Sequence, residues 1–136
     1  MTRALSILVL AAAVAGCSTL QGGATPATSR ELRPLDFGWE QYFSITWEPS
    51  QRRGRAEVAG YVENTSPYDL ANVRVLVDSL DGDGHLVAQQ VGWVPGELHG
   101  GSHRYFEVPV APAAAYRVRV FSYDRLEAAG LMSLLR

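Results

Sequence analysis

The sequence is poor in cysteine and contains no lysine. Cys17 is the one cysteine, so no disulfide can form within the chain and a hydrophobic core has to hold the fold. Long apolar runs are also missing. The longest stretch of low polarity, residues 4–15, would extend about 18 Å as a helix, whereas the hydrocarbon core of a bilayer is about 30 Å thick. This stretch is therefore too short for a membrane-spanning helix.

The charge of the chain is nearly balanced, with 14 acidic residues against 12 arginines and a formal net charge of −2. The arginines are dispersed, except for Arg52, Arg53 and Arg55 beside Gly54. Proteins that bind nucleic acids concentrate positive charge on one surface, so this sequence gives no support to a nucleic-acid partner. Exclusive use of arginine is compatible with recognition of phosphate or carboxylate groups. Because the arginines are dispersed, we attribute the exclusive use of arginine to a GC-rich genome.

The first 16 residues have the pattern of a secretory signal peptide. The basic residue Arg3 precedes a short apolar centre, and small residues follow it. The apolar stretch ends in "VAGC", which is Val14, Ala15, Gly16 and Cys17. The pattern predicts an exported protein whose cysteine lies at the cleavage junction.

The "VAGC" motif resembles the lipobox of bacterial lipoproteins, in which an aliphatic residue and two small residues precede the modified cysteine. The resemblance implies that the Cys17 thiol receives a diacylglyceryl group, that the chain is cut before Cys17, and that the new amine is acylated. One acyl chain gives marginal membrane binding, whereas two or three hold a protein essentially permanently. The alternative is an ordinary signal peptide whose cysteine falls at the junction by chance.

The residue behind the cysteine indicates which membrane the anchor would enter. In well-studied Gram-negative bacteria an aspartate at this position retains lipoproteins in the inner membrane, and this chain has Ser18. For a Gram-negative source, the resemblance implies an anchor in the cell outer membrane, with the protein facing the periplasm.

Composition divides the rest of the chain into a tether, a domain and a tail. Residues 17–34 begin with the lipidated cysteine and are rich in Ser, Thr, Gly, Ala and Pro, as expected of a flexible tether. Residues 35–125 alternate apolar and polar side chains and are predicted to form one domain. The tail, residues 126–136, suits either a short helix that caps the domain or a final strand, and Gly130 weakens the helix interpretation.

The alternation predicts six strands within the domain. Their segments are YFSITWE, AEVAGYV, LANVRVLVDSL, HLVAQQVGWVP, HRYFEVPV and YRVRVFSYD. Between them lie a predicted polar turn, EPSQRRGR, and the hairpin signal DGDG at residues 81–84. A seventh strand could lie in PLDFGW, residues 34–39. Short strands with regular turn signals and no interior helix favour an all-β, antiparallel β-sandwich of six or seven strands.

Residues 60–110, with the last strand, resemble the FxLYD-type domain of bacterial cell-envelope lipoproteins. The shared order is G-x-V-x-N-T at residues 60–65, a valine-rich strand with D-x-D-G, then P-G-E-L with a later glycine, and F-x-V. The motif that names the family is replaced here by Val77, Ser79 and Leu80 before the retained Asp81. The resemblance implies an immunoglobulin-like sandwich without enzymatic activity.

The segment ELHGGSH contains three possible metal ligands, Glu97, His99 and His103. An H-x3-H pair binds zinc when a helix places both rings on one face. Gly100 and Gly101 separate these histidines and a predicted strand follows, so no helix presents the pair. We therefore predict no metal and no cofactor, and keep the 97–103 loop as the alternative, a small-ligand or metal-binding module.

The DGDG segment places Asp81, Asp83 and His85 close together in sequence. It matches part of a calcium-binding loop, which needs oxygen ligands at alternating positions over twelve residues and a final glutamate. The residues after Asp83, from Gly84 to Ala88, offer no carboxylate. A hairpin turn is therefore the expected structure.

Four large aromatic residues are candidates for a platform that binds a sugar or a peptide: Trp39, Tyr42, Trp47 and Trp93. In a small sandwich such residues more often belong to the core. Trp39 precedes the regular alternation, so we expect it to be the most exposed of the four.

The sequence lacks an arrangement for nucleophilic catalysis. It has no G-x-S-x-G elbow, and Ser102 and His103 would point to opposite faces of a strand. The interpretation is therefore a lipid-anchored, non-enzymatic cell-envelope lipoprotein. Its expected partners are the membrane, through the N-terminal lipid, and another cell-envelope protein, through an edge strand or a loop.

Overall fold

A computed structural model of the chain describes residues 30–126, and every structural statement below concerns that range. It contains a short 3-10 turn at Trp39–Gln41 and six strands. The strands are β1 (Phe43–Arg52), β2 (Arg55–Asn64), β3 (Asp69–Leu80), β4 (Leu86–Trp93), β5 (His103–Pro109) and β6 (Ala115–Leu126). None of these residues belongs to a helix that is long and apolar enough to cross a membrane.

The six strands form two antiparallel sheets of three strands each. One sheet has the order β1-β2-β5 and the other the order β4-β3-β6. In an immunoglobulin-type sandwich, strands A, B and E share one sheet while C′, C and F share the other, so the connectivity agrees. The prediction of an all-β antiparallel sandwich is confirmed, with six strands in the described range.

The core lies between the sheets and is built from alternate residues of β1, β2, β3, β5 and β6. Val75 and Val77 of β3 face Val58 and Val62 of β2, and all four are fully buried. Burying one such side chain contributes about 1.5–3 kcal/mol. Where β4 approaches β5, Gly92 is required, because a Cβ there would lie 2.2 Å from a methyl group of Val108.

The turn between β1 and β2 is shorter than predicted. We expected EPSQRRGR to be a polar turn, but the strand pairing continues to Arg52 and Arg55, so the turn consists of Arg53 and Gly54 alone. Both have positive φ, 51° and 76°, which a two-residue type I′ hairpin requires. Pro49 is tolerated inside β1 because this strand lies at the edge of its sheet.

Residues 34–39 lie outside both sheets, so the optional seventh strand does not form there. Residues 30–38, here called the N-terminal segment, run over the outer face of the β4-β3-β6 sheet. The segment bonds to Gln89 of β4 through the Leu32 backbone and to Phe121 of β6 through the Leu35 N–H. It therefore passes over the central strand β3. The last residues of the predicted tether, 30–34, belong to this segment.

Candidate functional site

The Cys17 motif, from Val14 to Cys17, lies outside the described residues, as do the signal peptide and residues 127–136 of the tail. Lipidation therefore stays a prediction from the sequence. The structure bears on the remaining candidates, which all lie in the domain.

The loop with Glu97 and His99, which leads into β5 at His103, is held by a buried backbone bridge. The N–H of Leu98 donates to the carbonyl of Leu70 at 2.8 Å, and the reverse bond measures 2.9 Å. The two histidines then point to different neighbours. His99 Nδ1 lies 3.2 Å from Asp69 Oδ1, whereas the His103 ring packs against the Tyr61 ring at 5.4 Å. Within residues 30–126, no group of three possible ligands contains either histidine.

The DGDG segment forms the predicted hairpin turn, and the carboxylate of Asp81 holds that turn together. Asp81 Oδ1 accepts hydrogen bonds from the backbone N–H groups of Asp83, at 2.9 Å, and His85, at 2.8 Å. The bond from the His85 N–H, followed by that from Asp83, lowers the pKa of Asp81 below its usual value. Asp81, Asp83 and His85 lie together but are all exposed. Their contacts are those of a turn.

The exposure of the four aromatic candidates differs from our expectation. Trp39, Tyr42 and Trp47 pack against the core as partly buried residues, whereas Trp93 is 61% exposed. The expectation that Trp39 is the most exposed of the four was wrong, because the 3-10 turn directs its side chain onto the core. Trp93 lies in the edge strand β4, with the Arg74 guanidinium 5.2 Å from its ring centroid.

A buried carboxylate on the outer face of the β4-β3-β6 sheet was missed in the sequence. Asp78 is completely buried. Its Oδ2 accepts hydrogen bonds from Arg117 Nε at 2.8 Å and Arg119 Nη2 at 2.5 Å. Arg117 Nη2 also forms an ion pair with Oδ2 at 2.7 Å. A signal was present, since Asp78 interrupts an apolar run and Arg117 and Arg119 alternate with valines. The three side chains meet only through strand pairing.

Gln89 connects this carboxylate to the N-terminal segment. Its Nε2 donates to Asp78 Oδ1 at 2.8 Å and to the carbonyl of Leu32 at 3.0 Å. Its Oε1 accepts from the N–H of Leu32 at 2.7 Å. The buried charge, the amide and the segment thus form one hydrogen-bonded chain. This hydrogen-bonded chain has a structural role, because both carboxylate oxygens of Asp78 accept hydrogen bonds from neighbouring side chains.

A second polar network holds the loops at one end of the sandwich. Asn64 is completely buried, and its Nδ2 donates to the carbonyls of Tyr68, at 2.6 Å, and Leu98, at 2.9 Å. Its Oδ1 accepts from the N–H and the hydroxyl of Ser66. Asn64 therefore joins the β2–β3 loop to the β4–β5 loop, which contains His99.

The outer face of the β1-β2-β5 sheet presents aromatic rings and carboxylates to solvent. We call it the tyrosine face and define it by Thr46, Glu48, Tyr61, Glu63, His103 and Tyr105. Tyr61 and Tyr105 are about half exposed, and their ring centroids lie 5.3 Å apart in an edge-to-face arrangement. Partial burial and the hydrogen bond from its hydroxyl to Glu107 raise the pKa of Tyr105. No local sequence pattern marks this face as a candidate site.

No protein-family model, no curated protein and no solved structure matches this chain.

Proposed function

We propose that this protein is a lipid-anchored, non-enzymatic adaptor of the cell envelope, which binds a strand of another envelope protein at the free edge of β6. The anchor rests on the Cys17 motif and its resemblance to a lipobox. The observation that carries the binding proposal is the edge of the long strand β6, beside which residues 30–126 place no further strand.

Strand β6 lies at the end of its sheet and is 12 residues long. In residues 30–126, one backbone hydrogen bond from outside the sheet reaches it, from the Leu35 N–H to the Phe121 carbonyl at 2.8 Å. In an immunoglobulin-type sandwich the position beside this strand belongs to the last strand, G. Unpaired N–H and C=O groups at such an edge can accept a strand from a partner.

The other edges are less suited to strand addition. β1 contains Pro49, which has no N–H to donate to an added strand. β4 and β5 have only eight and seven residues. They also approach each other closely, with Gly92 against Val108. The free edge of β6 is therefore the best acceptor.

The predicted tether would let this edge reach a partner near the membrane. Arg30, the first described residue, follows Cys17 by 13 residues. At about 3.4 Å per extended residue, that chain spans at most roughly 45 Å. The point at which the tether joins the domain, Arg30, would therefore stay within about 45 Å of the lipid surface.

Photo-crosslinking in the native host tests the binding site. A benzophenone amino acid is placed at Ala115 or Arg125, which are both exposed in β6, and the matched control carries it at exposed Asp83 in the β3–β4 turn. We expect one envelope protein to be crosslinked from both β6 positions and not from Asp83.

Two results would contradict the proposal. The first is the absence of any crosslinked protein at both β6 positions in cells that contain the full-length variant. The second is a crosslink, mapped by peptide mass spectrometry, from β6 to residues 127–136 of the same chain, because the edge would then be filled internally.

A further inference from the structure

The tyrosine face contains two neighbouring depressions, with volumes of about 260 and 200 Å³. Thr46 and Tyr61 line both of them and separate one from the other. Small side chains create this relief, since Ala59 lies beside Tyr61 in the first depression and Ser44 lies in the second. The face is therefore not flat, and its two halves share one aromatic ring.

Each depression contains one carboxylate that is not neutralised by a neighbour. Glu48 lines the first and Glu63 the second, and both are exposed. Among residues 30–126 neither has an ion-pair partner, whereas Glu107 of the same sheet is paired with Arg52. The negative charge is thus available on both sides of Tyr61.

A carboxylate beside an aromatic ring is the chemistry that recognises a cationic side chain. The ring face attracts a guanidinium or ammonium group, at about 0.5–1 kcal/mol for an exposed site. The carboxylate adds an ion pair. Arginine fits best, because its flat guanidinium can stack on the ring and donate two hydrogen bonds to one carboxylate.

The spacing of the depressions sets the spacing of the cations. Neighbouring rows of side chains on a sheet face are two residues apart along each strand, about 6.8 Å. Ser44, Thr46 and Glu48 belong to three successive rows, so the two depressions between them lie one row apart. Side chains i and i+2 of an extended peptide have the same spacing.

The geometry points to the tyrosine face as a docking site for an extended segment of a partner protein with basic residues at alternate positions, arginine above all, one in each depression astride Tyr61. This inference goes beyond the proposed strand addition, because it concerns the opposite sheet, and it does not depend on the lipid anchor.

Peptide titration tests it with the purified full-length protein in detergent micelles. The probes are two fluorescently labelled peptides of equal composition, Ser-Arg-Thr-Arg-Ser with alternate arginines and Ser-Arg-Arg-Thr-Ser with adjacent ones. At an ionic strength of about 20 mM, where screening is weak, we expect the alternate peptide to bind at least roughly fivefold more tightly. Fluorescence anisotropy gives both affinities.

Variants locate the site. We expect Glu48→Gln and Glu63→Gln each to weaken binding of the alternate peptide roughly two- to fivefold. Tyr61→Ser should do the same, whereas Tyr61→Phe keeps the ring and the affinity. The matched control is Glu57→Gln, because Glu57 lies in the same sheet, outside both depressions, and accepts a bond from the Ser50 hydroxyl. Circular dichroism confirms that each variant is folded.

Three results would overturn the inference. One is equal affinity for the two peptides, and another is a loss in Glu57→Gln as large as that in Glu48→Gln or Glu63→Gln, since both would indicate unspecific attraction. The third is the absence of binding by the folded wild type at low ionic strength. Failure of β6 crosslinking would leave this test unaffected, because the peptides address another surface.

Discussion

Replacing Asp78 with alanine leaves two arginines without the carboxylate that neutralises them. Arg117 is about half exposed and can turn to solvent, so the loss of its ion pair lowers the free energy of unfolding only a little. The Arg119 side chain is only 21% exposed and its Nε is buried without a hydrogen-bond partner in the described chain, so water reaches only part of its charge. Removing one partner of a buried ion pair costs about 3–5 kcal/mol. Because Arg117 can relax, we expect the lower end, about 3 kcal/mol.

Such a loss is a large part of a typical domain stability of about 5–15 kcal/mol. For a domain of this size, about 1 kcal/mol lowers Tm by roughly 4–8 °C, so Asp78→Ala should lower Tm by on the order of 12–24 °C. Urea unfolding followed by circular dichroism measures the free energy directly. The control is Asp83→Ala, an exposed carboxylate, for which we expect a change below about 0.5 kcal/mol.

The same variant should also loosen the N-terminal segment. Gln89 is held by Asp78 and in turn holds Leu32, so faster hydrogen exchange is expected at the Leu32 amide. A loss of stability below about 1 kcal/mol in Asp78→Ala, with unchanged exchange at Leu32, would refute the reasoning that this buried charge organises the outer face.

Three further predictions concern the turns and loops. Asn64→Ala should destabilise the domain by about 2–3 kcal/mol in urea unfolding, because it leaves buried backbone groups unpaired, whereas exposed Thr65→Ala should change little. The folded pKa of Asp81 lies below its ordinary 3.8, so its stabilising effect is present above that pH and is lost as the pH falls through the folded pKa. The difference in urea midpoint between wild type and Asp81→Asn should therefore be larger at pH 7 than at about pH 2.5, and an equal difference would contradict this assignment. Calorimetric titration with zinc should give no binding heat, because His99 and His103 have separate partners; saturable heat lost in His99→Ala would revive the ligand-binding alternative.

The strands could be predicted because a strand with one buried face has an apolar residue at every second position. Val73, Val75 and Val77 alternate with residues of the other face, and the structure buries all three. The turn at DGDG could be predicted equally well, because a tight turn needs a residue with positive φ and Gly84 has a φ of 84°. These features depend on neighbours in sequence, which is why local patterns suffice.

Other features depend on pairing between distant residues, and local patterns missed them. Polar composition suggested a long turn around Pro49, but both faces of this part of an edge strand meet solvent, so polarity did not mark the turn. Asp78 lies 39 residues from Arg117 and 11 from Gln89, and only the strand register brings them together. The tyrosine face arises in the same way, from the pairing of Tyr61 with Tyr105 across two strands.

The proposal that this is a membrane-held protein depends on the chemistry of one sulfur atom. Mass spectrometry of the N-terminal peptide, from protein purified out of its native host, tests this most directly. We expect a chain that begins at Cys17 and carries the mass of a diacylglyceryl group on the thiol, together with an acylated amine. An unmodified thiol, or a peptide that still begins at Met1, would contradict the account.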